Sequence, residues 1–167
     1  MKKLSAIAIL VIGFAASSNA QSTASASASA TIISPISITK TVDLDFGNVA
    51  ASGAAGTVVI SPAGVRSTTG GVSLPVIPGT VTAASFDVAG QGNYTYAITL
   101  PAAAITISSG ANTMSVNAFT STPLTTGTLS VGGTQTVTVG ATLNVGASQA
   151  SGLYTSGTPF DVTVNYN

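Results

Sequence analysis

From residue 32 onward, apolar and polar residues alternate with a period of two, in short segments punctuated by Gly and Pro. No stretch in this region carries a helical period. Ile36 and Ile38 lead into Val42, Leu44 and Phe46, while the intervening Asp43 and Asp45 face the other way and Gly47 ends the segment. Thr57 to Ile60 follows, then Val72, Leu74 and Val76, closed by Pro78-Gly79. Val81 and Ala83 lie on one parity and Ala84, Phe86 and Val88 on the other, which predicts a bulge that re-aims the strand. Tyr94, Tyr96, Ile98 and Leu100 alternate up to Pro101, and Ile105 with Ile107, then Met114, Val116 and Ala118, predict two more strands. Leu129 and Val131 precede Gly132-Gly133, a hairpin signal, and the longest alternating run follows: Val137, Val139, Ala141, Leu143 and Val145. The last strand is Phe160, Val162, Val164 and Tyr166, with Asp161, Thr163 and Asn165 opposite.

Roughly eight to ten short strands, each apolar on one face, predict an all-β chain folded as an antiparallel β-sandwich, because two half-apolar sheets must cover each other. A closed barrel is the alternative. The strands lack the aromatic girdles that an outer-membrane barrel needs at both lipid interfaces.

The first 31 residues read differently. Lys2 and Lys3, the apolar run Ala6 to Ala16 and the small residues Ser18-Asn19-Ala20 predict a secretory signal peptide over residues 1–20, cut after Ala20. The apolar run is shorter than a membrane span requires. Residues 21–31 read QSTASASASAT, a low-complexity extension open to two readings, a flexible linker or a strand that pairs only with a partner. The domain proper is expected over residues 32–167.

Composition narrows the chemistry. The chain contains no Cys and no His, and charged residues make up 5% of it, against roughly 25% in ordinary soluble domains. It therefore has no imidazole base, no thiolate, no zinc site of the usual type and no disulfide. Ser and Thr are abundant, but nothing is present to activate one as a nucleophile. An enzyme is not expected, and neither is a cofactor or a metal. Beyond residue 20 the cations are Lys40 and Arg66, facing Asp43, Asp45, Asp87 and Asp161. Two scattered cations cannot form a phosphate-binding patch, so nucleic acid is not an expected partner, nor is membrane insertion of the mature chain.

The remaining candidates have plain structural readings. Asp43 and Asp45 share a strand face, but Ca²⁺ needs six or more oxygens and a glycosidase pair must flank a sugar groove, so a solvated face is expected. Asp45-Phe46-Gly47 spells the kinase metal tripeptide without the other kinase elements. Tyr94 and Tyr96 could form a sugar-stacking platform, although core packing with hydroxyls at the rim is the simpler reading. Lys40 reads as an exposed strand-end residue rather than one half of an isopeptide bond.

The C-terminus carries a resemblance. Gly152, Tyr154 and the alternation Phe160, Val162, Val164, Tyr166, with its penultimate aromatic, resemble the terminal strand of bacterial chaperone-usher fimbrial subunits. Leu44-Asp45-Phe46-Gly47 resembles a motif after the first strand of the same group. Together with YAITLP (Tyr96 to Pro101) and VGATLNV (Val139 to Val145), the chain from about Ile32 is similar to a secreted domain-of-unknown-function family, number 4402, related to these pilins.

The resemblance implies an immunoglobulin-like, pilin-like sandwich that lacks its last strand and leaves the terminal strand as an open edge, a template for another chain. It implies a periplasmic chaperone and an outer-membrane usher as partners. It also implies like subunits joined head to tail by donor-strand complementation, and a final location on the cell surface as a fimbrium. Phe160, Val162, Val164 and Tyr166, with Gly152 and Tyr154, would form the edge of the groove. Ala24, Ala26, Ala28, Ala30 and Ile32 would be the donor set. These donors are small: at ~25 cal/mol per Å² they contribute only a few kcal/mol, and the backbone ladder must supply the rest. The cysteine pair common in classical subunits is absent. A monomeric secreted sandwich that folds with its own N-terminal strand and binds a ligand such as carbohydrate through its loops is the other reading.

Overall fold

The structure is a computed structural model that describes residues 21–167. The expected leader, residues 1–20, lies outside the described residues. The chain divides into a unit that ends at Ile32 and a unit that runs from Ile33 to Asn167. In the first, residues 21–32 form no strand and are exposed.

Every regular element among the described residues is a strand, as the period-two pattern predicts: β1 (Ser37–Val42), β2 (Ala50–Ile60), β3 (Arg66–Ser73), β4 (Ala84–Ala89), β5 (Thr95–Thr99), β6 (Ile105–Ser109), β7 (Asn112–Thr122), β8 (Thr126–Thr128), β9 (Thr134–Val145), β10 (Thr155–Ser156) and β11 (Thr163–Tyr166). All pairings are antiparallel. One sheet runs β1-β4-β9-β7-β6-β10 with β2 and β3 added, and the other runs β11-β5-β8.

The long alternating run is β9, the spine of the larger sheet. One edge pairs with β7. The other pairs with β4 through Val139 and with β2 from Ala141 onward. Gly140 sits at that handover, where a Cβ would run into the backbone carbonyl of Ile60. The apolar face of β9 divides at the same place. Val137 and Val139 pack with Phe86 and Val88 of β4 against Tyr96 and Ile98 of β5 and Val162 and Val164 beside and within β11, the sandwich-like half of the molecule. Ala141, Leu143 and Val145 pack with Val58, Ile60, Val72 and Val116, so the larger sheet curls around a second cluster like half a barrel. Alternation shows that a strand has an inner face; it does not show that one strand serves two clusters.

The parity change near Ala83 marks this same division. Val81 and Ala83 pack against the second cluster, whereas Ala84, Phe86 and Val88 belong to the first, and the strand is broken between the Thr82–Asp45 bridge and Ala84. Three local expectations change. The strand expected to reach Val76 ends at Ser73, and Val76 lies at the surface, because Pro75 and Pro78 flank it and neither can donate to a ladder. Ala118 does not face inward: β7 is irregular between Asn117 and Thr120, Ala118 has φ 50°, and Phe119 turns in to fill the space an Ala would leave empty. Gly132-Gly133 does form a turn, but it carries the chain from β8 in one sheet to β9 in the other.

One side chain joins the sheets across that crossover. Gln135 of β9 accepts a hydrogen bond from the Tyr96 hydroxyl at 2.7 Å and another from the Thr128 amide at 3.0 Å. Gly127 makes room, since a Cβ there would strike the Tyr96 ring.

Candidate functional site

β11 pairs with β5 in the register Thr163 to Thr99, Val164 to Ile98, Asn165 to Ala97 and Tyr166 to Tyr96. Among the described residues no strand pairs with its other edge. The Asn167 amide donates to the Thr95 carbonyl. Antiparallel alternation then directs the amides of Val164 and Tyr166 away from β5, toward the open edge. β1 is also an edge, paired among the described residues only with β4. The two edges meet without sharing a ladder. Ser34, ahead of β1, accepts a 2.8 Å hydrogen bond from the Tyr166 hydroxyl at the end of β11. Leu44, beyond β1, lines a cavity together with Phe160, which precedes β11. The seam between β1 and β11 is therefore antiparallel, tied at one end and open at the other.

The cavity measures about 920 Å³ and lies between residues 40–51 and residues 149–160. Its floor is the apolar face of the curled sheet, including Ile107, Met114, Val116 and Leu143. Each wall is held by a polar device. Arg66 donates to the carbonyls of Phe46 (2.7 Å) and Asn48 (2.9 Å), which fixes the connector after β1. Gln149 donates to Thr113 O (3.3 Å) and to the Tyr154 hydroxyl (2.8 Å), which in turn donates to Ala150 O (2.8 Å), and β10 pairs with β6. Phe160 completes the wall with its ring centroid 4.9 Å from that of Phe119 and 6.3 Å from that of Phe86.

The residues of the expected groove edge separate into three places. Gly152, Tyr154 and Phe160 line the cavity. Val162 and Val164 point into the core, 9% and 7% exposed. Tyr166 closes the far end: its hydroxyl also accepts from the Gln91 amide, and its ring packs edge-on against Tyr94 at 5.7 Å. The donor set Ala24, Ala26, Ala28, Ala30 and Ile32 lies outside both sheets and is exposed, Ile32 at 96%. Ser34, Gln91, Gln149 and Arg66 were not expected from the sequence. Only Arg66 leaves a signal there, as the chain's single arginine.

The charged groups at the cavity rim are already engaged. Lys40 pairs with Asp43 at 2.6 Å, with both side chains largely exposed, and Asp45 accepts the Gly47 amide at 2.8 Å. No cluster of three or more metal-ligating side chains occurs among the described residues. Burial pushes the Tyr96 phenol above its ordinary 10.0. What the site offers a ligand is apolar surface next to unpaired strand edges, which suits the binding of an extended peptide.

No curated protein and no solved structure matches the chain. A family model does, over residues 36–166, which takes in every strand from β1 to β11. The chain therefore belongs to the family described as Domain of unknown function (DUF4402).

Proposed function

We propose that this protein is a secreted, non-enzymatic structural subunit of a fimbria-like surface fibre, assembled by donor-strand complementation after passage through a periplasmic chaperone and an outer-membrane usher. On this reading the domain is an immunoglobulin-like sandwich that lacks its last strand. The observation that carries it is the pair of unpaired edges, β1 and β11, which meet along a seam that opens into an apolar cavity. A strand laid along β11 would satisfy the outward amides of Val164 and Tyr166 and cover that cavity, which is how an exposed edge recruits another chain. Residues 21–32, exposed and in no strand, are a segment free to take up a strand conformation on a partner. A contact between one copy's extension and another's edge is heterologous, so it propagates into a filament.

Deletion of Gln21 to Thr31 tests the reading. The shortened chain is expected to accumulate as a folded monomer with its strand content intact and to yield no fibres by electron microscopy. Fibres of normal length from the deleted chain would overturn the proposal.

A further inference from the structure

The extension is uneven in size, and so is the seam. Laid out as a strand, Ala24, Ala26, Ala28 and Ala30 would share one face with Ile32, the bulky side chain of that face. Along β11 the seam is narrow: the Tyr166 hydroxyl is bonded to Ser34 of the chain entering β1, and Val164 turns its side chain into the core rather than into the seam. Ahead of β11, at Phe160, it widens into the cavity of about 920 Å³. Small residues fit the tight part, and only the wide part has room for an isoleucine.

Attachment points agree with the sizes. The extension joins the domain beside Ser34, at the Tyr166 end of the seam, while the cavity lies past the other end of β1. A six-residue strand spans roughly 20 Å. Ile32, two residues from Ser34, therefore cannot reach the cavity of its own domain, and only another copy's Ile32 could enter it.

Building on the proposed function, we infer that the cavity between residues 40–51 and 149–160 is the seat of Ile32 from a second copy. The donated extension then runs antiparallel to β11. Ile32 packs on the floor formed by Ile107, Met114, Val116 and Leu143, and Ala24 lies near Tyr166. Ile32 is the specificity-determining residue of the contact, and the alanines serve as small spacers along the backbone ladder.

Cysteine cross-linking reads this directly, since the chain has no cysteine of its own. Fibres from cells producing the double variant Ile32→Cys/Met114→Cys, oxidised and run without reductant, are expected to give a ladder of covalent multimers, whereas Ala24→Cys/Met114→Cys gives none. A ladder from the Ala24 pair alone would overturn the seating and direction while leaving strand donation standing. Fibres with no ladder from either pair would overturn the seating. The absence of fibres from the unaltered chain would overturn the proposed function and this inference with it. A second variant leaves the domain untouched: Ile32→Ala is expected to weaken association about tenfold to a hundredfold, and unchanged association would overturn the inference.

Discussion

Tyr166 shows what one residue contributes here. As the penultimate aromatic of an alternating strand it is easily picked out in the sequence, but its partners Ser34 and Gln91 lie 132 and 75 positions away and carry no local signal. Its hydroxyl donates to one and accepts from the other, which ties the end of β11 to the chain entering β1. Tyr166→Phe keeps the ring against Tyr94 and removes both bonds, so a loss of about 1–2 kcal/mol is expected in urea unfolding; an unchanged midpoint would contradict the tie. Tyr96 is also marked by alternation, whereas the acceptor Gln135 reads as one polar residue among many. Burial raises the Tyr96 phenol, so the folded chain keeps a proton that the unfolded chain loses near pH 10. The contribution is complete below that pH. Above it the unfolded state binds fewer protons, and stability falls as pH rises. As pH rises above about 10 the unfolding midpoint of the natural chain should therefore fall more steeply than that of Tyr96→Phe, and parallel slopes would exclude this cause.

At the scale of elements, period-two alternation identified most strands because each needs one apolar face, and the sequence carries that face directly. It identified β9 as the longest, yet it could not show that one edge of β9 serves two partners. That property depends on Gly140, which in sequence is only a glycine inside a strand. Its absent side chain lets the backbone of Ile60 and Ser61 approach at the handover from β4 to β2. Gly140→Ala places a methyl against backbone that has no rotamer to change, and a loss of about 1–3 kcal/mol is expected in denaturant unfolding. A neutral result would mean that the handover relaxes easily. The bulge at Ala118 was hidden for a related reason: alternation continued through Val116 to Ala118, and only the need to bury Phe119 displaced it.

For the whole molecule, composition excluded much and placed little. Scarcity of charge fits two sheets held by apolar faces and backbone ladders, with one exposed ion pair, Lys40 to Asp43, among the described residues. The candidate site was half legible. The terminal alternation pointed to β11, and the resemblance pointed to an open edge. The cavity, however, is assembled from residues 40–51, the floor of the curled sheet and residues 149–160, which meet only in the fold. The central claim is that the free edge of β11 receives a strand from another copy, and amide hydrogen exchange at Val164 and Tyr166 tests it most directly. In the monomer these two amides should exchange fast while Asn165, bonded into β5, exchanges slowly; in assembled protein all three should be slow. Val164 and Tyr166 amides that exchange equally fast in monomer and assembly would contradict the account.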